Sequence, residues 1–169
     1  MNARFVTTLA LLVGAALAPA GALARSSDRG KAMDIDAGAS DYSLDDKRPT
    51  MLTGGVTITQ GTLNIQSSTA QITQRGGEPV RAVLRGGPVK LSQQLDDGTP
   101  MNASATNVDY DLQSEVVVFT GNVSISQPRG KLSGQRVVYN MKTGQVTSGG
   151  AGSGRVKMQI LPKTARGGA

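Results

Sequence analysis

The chain has no cysteine, no histidine and no tryptophan, and its aromatic content stops at two Phe and three Tyr in 169 residues. Without Cys no disulfide can staple the fold, so stability has to come from burial and from backbone ladders. Losing His and Cys together removes the commonest general base, the thiolate nucleophile and the usual zinc ligands, which argues against an enzyme and against a metal or other cofactor. No Ser stands in a Gly-x-Ser-x-Gly setting, and there is no His to activate one. The paired carboxylates Asp45-Asp46 and Asp96-Asp97 are adjacent residues in turns flanked by Pro or Gly, a setting that suits turn formation better than the two-carboxylate hydrolysis of sugars. Gly149 to Gly154 is glycine-rich but lacks the Gly-Lys-Ser/Thr ending of a phosphate loop and leads into a strand pattern. Few aromatic rings leave few platforms on which nucleobases could stack.

The first residues carry Arg4, an apolar run from about Leu9 to Ala18, and the small-x-small sequence Ala22-Leu23-Ala24 before Arg25. That order predicts a secretory signal peptide over 1–24, cleaved after Ala24, because ten or so apolar residues are too few for the ~20 of a spanning helix. About 145 residues would remain, enough for one domain with a continuous core. The whole chain has a formal charge of +6. A basic balance favours acidic partners such as anionic lipid or phosphorylated glycolipid, and export with few aromatics disfavours nucleic acid.

Beyond Arg25 the apolar residues recur with period two, as in half-buried strands. Val56-Thr57-Ile58-Thr59, Leu63-Asn64-Ile65-Gln66, Val89-Lys90-Leu91-Ser92, Val123-Ser124-Ile125-Ser126 and Val156 to Ile160 each put apolar side chains on one face and polar ones on the other. Turn chemistry separates them at Asp45 to Pro49, Arg75 to Pro79, Asp96 to Pro100 and Thr143-Gly144. Many short strands joined in this way predict an all-β sandwich, jelly roll or solenoid.

An internal echo narrows the choice. Thr53-Gly54-Gly55-Val56-Thr57-Ile58-Thr59-Gln60 aligns with Thr120-Gly121-Asn122-Val123-Ser124-Ile125-Ser126-Gln127, 67 residues further on, and Asp41-Tyr42-Ser43-Leu44 aligns with Asp109-Tyr110-Asp111-Leu112. Weaker versions start at Gly87 and Gly154. The pattern predicts two related β halves stacked along one axis, with ends that need a cap or a partner. Their shared apolar face is aliphatic and modest in size, so it could close as a dry core or hold an acyl chain.

Taken in order, Thr120 to Gln127, its partner copy at 53 to 60 followed by Gly61-Thr62-Leu63-Asn64-Ile65, the Arg75-Gly76-Gly77-Glu78 turn, and Tyr110-Asp111-Leu112 leading into Val116 to Phe119 resemble the OstA-like family. The resemblance runs from about Met33 to Pro162. It implies a slightly open, twisted antiparallel β-jelly roll of about sixteen short strands over 25–162, followed by a flexible tail at 163–169. It also implies a non-enzymatic periplasmic bridge that binds lipopolysaccharide by the acyl chains of lipid A and carries it from inner to outer membrane. The implied partners are the inner-membrane lipopolysaccharide-transport protein C, the N-terminal domain of the outer-membrane lipopolysaccharide-transport protein D, and further copies of the chain joined head to tail.

Carried over by position, the implied lipid-facing residues are Met33, Ile35, Val56, Ile58, Leu63, Ile65, Val89, Leu91, Tyr110, Leu112, Phe119, Val123 and Ile125. Edges suited to strand addition are expected at Met33 to Asp36 and Val156 to Ile160. Arg75, Arg81, Arg85, Arg129, Lys131 and Arg136 are candidates for steering lipid phosphates toward the groove. Pro88 beside a strand and the glycine-rich loop from Gly149 depart from the family pattern. Ala-Leu-Ala in place of a retained N-terminal helix, and no long barrel, favour the soluble bridge within the family. The rival reading is a periplasmic β-solenoid that scaffolds or binds polysaccharide around a closed core.

Overall fold

Among the described residues the period-two segments form ten strands, all paired antiparallel: β1 (Asp34–Asp41), β2 (Thr50–Gln60), β3 (Leu63–Ser67), β4 (Thr69–Arg75), β5 (Glu78–Gln94), β6 (Pro100–Asp111), β7 (Val116–Gln127), β8 (Gly130–Asn140), β9 (Gln145–Ser148) and β10 (Lys157–Ile160). The computed structural model describes residues 26–42, 48–150 and 154–162. The expected signal peptide and C-terminal tail lie outside the described residues. Among those residues no helix is long and apolar enough to cross a membrane, and no group of three or more acidic residues is placed to cage a metal ion.

One hydrogen-bonded sheet is folded over on itself. In the first layer the order is β1-β2-β3-β5-β6-β7-β8-β10; in the second, β4 takes the place of β3 between β2 and β5, and β9 takes the place of β10 beside β8. Six strands, β1, β2, β5, β6, β7 and β8, run through both layers and bend where their pairing breaks. Counted as arms, the ten strands supply eight to each layer and sixteen in all, which reconciles long strands with the sixteen short ones expected.

The bends are built from residues that let two backbones come close. Gly54 has φ +79°, and a Cβ there would lie 3.1 Å from Gly38 Cα on the neighbouring strand. In the second half the same turn of chain is made by Gly121 and Asn122, with φ +80° and +49°. These are the residues that the 67-residue echo aligns with Gly54 and Gly55, so the repeat is a repeat of bends as well as of strands. Pro88 lies in the bend of β5, in the stretch between Arg85 and Val89 that has no partner on β6. A residue without an N–H donor costs no ladder bond at that place.

Between the layers lies one apolar cluster. Val56, Ile58, Leu63, Ile65, Val89, Leu91, Met101, Ala103, Ala105, Val123, Ile125 and Leu132 face inward from the first layer. They meet Leu52, Ala70, Ile72, Ala82, Leu84, Val108, Tyr110, Val117, Phe119, Val137 and Tyr139 from the second. Each fully buried Val, Leu or Ile contributes about 1.5–3 kcal/mol, so the interior supplies the cohesion that a cysteine-free chain requires.

Candidate functional site

Since each strand alternates its faces, the interior is apolar along most of its length, and what remains is how it ends. Exposed large apolar residues gather at the two ends of the fold. Ile35, Tyr42 and Met51 stand at the β1 end, and Val146, Val156, Met158, Ile160 and Leu161 at the β9/β10 end. At the first end a cavity of about 410 Å³ is lined by Ile35, Ala37, Leu52 and Ile72 among others. At the other end, cavities of about 230 and 480 Å³ share Gln127, Arg129, Val146 and Ile160. Both ends therefore lead from solvent to core side chains.

Both ends are also strand edges. Among the described residues β1 pairs only with β2, and β9 and β10 pair only with β8, so each leaves one row of backbone N–H and C=O groups without a sheet partner there. These are the two edges expected from the sequence, with β9 added. Such edges are templates for strand addition, and here each runs along the rim of an apolar opening.

Of the thirteen residues expected to face lipid, Val56, Ile58, Leu63, Ile65, Val89, Leu91, Tyr110, Phe119, Val123 and Ile125 lie together in the interior. Met33 and Leu112 are partly buried against it, and Ile35 is 41 % exposed at the β1 mouth. Sequence reasoning missed the larger share of the described interior, fifteen of its twenty-five buried apolar residues, notably Leu52, Ile72, Leu84, Met101, Val108, Val117, Val137 and Tyr139. Of the six basic candidates, Arg129 and Lys131 meet at one cavity, at the β9/β10 end, and the others do not join them there. Arg81 is held by Asp109 through its Nε, 2.8 Å from Oδ1, and through a second contact from Nη2 to Oδ2. That pair raises the Arg81 pKa, mainly by hydrogen bonding and then by charge. Arg85 and Arg136 are likewise exposed, whereas Arg129 lines the cavities at the β9/β10 end.

Opposite the bends, the free margins of the two layers form a seam, and the segment before β1 crosses it. This segment is a 3-10 turn, Ser26–Asp28, continuing to Lys31. Asp28 is buried and its Oδ2 accepts from the Thr62 amide at 2.8 Å and from the Thr62 hydroxyl, while Oδ1 accepts from Lys31 Nζ at 3.1 Å. Burial alone would raise the Asp28 pKa, but the Thr62 and Lys31 interactions outweigh it and hold the carboxyl below its ordinary value. On the other margin Arg29 Nη1 lies 2.9 Å from Glu115 Oε2 and 3.5 Å from the Met141 carbonyl oxygen.

The chain matches a family model described as "LptA/(LptD N-terminal domain) LPS transport protein" over residues 34–145. It is 32 % identical to the lipopolysaccharide export system protein LptA of Haemophilus influenzae, over 86 % of each chain. It is 30 % identical to the protein of the same name from Escherichia coli K12, over 65 % of this chain and 60 % of that one. With the lipopolysaccharide export system protein LptH of Pseudomonas aeruginosa the identity is 28 %, over 95 % of this chain and 97 % of that one. The crystal structure of LptH, the LptA homologous periplasmic component of the conserved lipopolysaccharide transport device of Pseudomonas aeruginosa, superposes with a TM-score of 0.72 at 24 % identity, covering 80 % of this chain and 99 % of that one. That last likeness is one of fold.

Proposed function

Because the chain belongs to the LptA/(LptD N-terminal domain) LPS transport protein family, we propose that it is a periplasmic carrier that holds lipopolysaccharide by the acyl chains of lipid A and passes it from the inner toward the outer membrane. The observation that carries this reading is the apolar interior that reaches solvent at two ends, each bordered by an unpaired strand edge. Acyl chains between the layers would gain about 0.8 kcal/mol per buried methylene. Several chains on one lipid would then outweigh the cost of parting side chains that now touch. The thirteen residues from Met33 to Ile125 named above are the proposed contacts, together with their facing partners in the second layer.

In the same reading β1 of one copy adds to β9 and β10 of the next, so that the apolar interiors join end to end. The terminal partners are the inner-membrane transport protein C and the N-terminal domain of the outer-membrane transport protein D, both proposed as carrying the same kind of edge. No step of such a transfer makes or breaks a covalent bond, in keeping with a chain that has neither His nor Cys.

Tight closure of the core favours one other reading, a scaffold whose interior never opens. Lipopolysaccharide binding by Ile58→Glu, with Thr57→Glu on the opposite face of β2 as control, separates the two. A lone charge among apolar neighbours is costly, so Ile58→Glu should lose binding while the control keeps it. Undiminished binding by folded Ile58→Glu would point to the scaffold.

A further inference from the structure

We propose that residues 26–31 form a strap that locks the seam between the two layers and must lift before a lipid can enter from the side; this rests on the lipid-holding interior proposed above. A sheet folded along one line of bends can open only along the opposite margin. That margin is where the strap lies, and it is bonded to both sides.

On the first layer the seat is the β2–β3 turn. Gly61 has φ +61°, and a Cβ there would fall inside the Asp28 carboxylate. The turn thus needs glycine for its backbone conformation and again for the room that Asp28 occupies. Thr62 supplies two donors to that carboxylate, and Gln60 Nε2 donates to the carbonyl oxygens of Arg29 at 3.4 Å and Lys31 at 3.1 Å. On the second layer the seat is Glu115, in the β6–β7 turn, beside Met141 after β8. Glu115 has φ +56°, an unfavourable conformation for a side-chain-bearing residue. Its carbonyl accepts from the Met141 amide at 2.9 Å, and its carboxylate faces Arg29 at 2.9 Å and Lys142 at 3.9 Å. Under the strap runs a narrow cleft lined by Leu63, Gln93 and Met141, residues at the edge of the core.

The chemistry also gives the strap a reason to release. Arg29 and Lys31 are bound to carboxylates at the seam, and a phosphorylated headgroup brings oxygen acceptors that can replace Glu115 and Asp28 as their partners. Exchange of one anion for another lowers the cost of opening for an anionic lipid and leaves it in place for a neutral one.

The absence of native cysteine makes a reversible lock possible. In Asp28→Cys with Thr62→Cys, side chains that already touch are replaced by two thiols, and oxidation would tie the strap to the first layer. The protein carries a photocrosslinking residue at Leu91, and capture of purified lipopolysaccharide is timed before and after reduction. The expected result is capture slowed about tenfold or more in the oxidised form and restored by reduction, the size of a lost charge-assisted hydrogen bond or greater. Thr62→Val alone, which removes one donor to Asp28, should speed capture with an unchanged circular dichroism spectrum. Equal rates in the oxidised and reduced forms, or no acceleration in folded Thr62→Val, would overturn the strap while leaving the interior reading standing. No capture by the parent protein would remove the interior reading, and the strap with it.

Discussion

Gln93 and Tyr139 meet across the interior: Gln93 Nε2 donates to Tyr139 Oη at 3.0 Å, tying an arm of β5 in the first layer to an arm of β8 in the second. Both residues are buried. A polar pair inside an apolar cluster is tolerated because each group satisfies the other, and its removal from one side strands the remaining one. Tyr139→Phe should therefore destabilise the protein by about 1–3 kcal/mol in urea unfolding. Adding Gln93→Leu to it should recover much of the loss. Equal stability of Tyr139→Phe and the parent would show that the pair does not tie the layers.

The bend line makes a second prediction. Gly54 combines φ +79° with a neighbouring backbone 3.1 Å from any Cβ, whereas Gly30 has neither constraint. Gly54→Ala should lower stability by about 1–3 kcal/mol, and Gly30→Ala should leave it within about 0.5 kcal/mol. Thermal melts of the two variants beside the parent check both. Equal melting temperatures would mean that the fold-over does not depend on this close approach.

Tyr110 supplies a pH dependence. Burial, with the Glu115 charge adding to it, pushes the phenol up to about 12 from its usual value near 10. The unfolded chain therefore releases this proton first as pH rises. The contribution is intact below about pH 10 and is lost between about pH 10 and 12, amounting to about 1.4 kcal/mol by pH 11. Tyr139 adds to the same trend, since burial raises its pKa against the opposing hydrogen bond from Gln93. Urea midpoints at pH 9 and pH 11 should differ by less in Tyr110→Phe than in the parent. An identical pH response would place the phenol in a solvated setting.

At the β9/β10 end, Ile160 is 74 % exposed beside an unpaired edge. Ile160→Glu removes apolar surface from the proposed joint without touching the core, so it should reduce self-association by about tenfold or more in sedimentation while leaving the melting temperature unchanged. Unaltered association would move the joint away from this edge.

The sequence was most legible where the bends preserve the side-chain alternation. β2 and β7 each carry two bend residues, Gly54-Gly55 and Gly121-Asn122, so Leu52, Val56 and Ile58, like Val117, Phe119, Val123 and Ile125, keep one parity through the turn. Those strands formed the recognised repeat. β5, β6 and β8 instead change parity at their bends: Ala82 and Leu84 give way to Val89 and Leu91, Met101 and Ala103 to Val108 and Tyr110, and Leu132 to Val137 and Tyr139. An odd shift carries the apolar set to the other sequence parity while the same sheet face stays inside. Ala82, Leu84, Met101, Ala103, Val137 and Tyr139 were hidden for that reason, whereas Leu52 and Val117 share the parity of their recognised neighbours. The strap had no signal at all, because Asp28 and Thr62 are 34 residues apart and meet only once the sheet has folded over.

The central claim is an interior that accepts acyl chains, and neighbouring residues on one strand test it. Leu91 points into the core of the first layer, and Lys90 points to solvent. A photocrosslinking residue is placed at each position in turn and the protein is irradiated with purified lipopolysaccharide. Crosslinked lipid at Leu91 and none at Lys90 is the predicted result. Crosslinking at Lys90 alone, or at neither position in folded protein, would contradict the account.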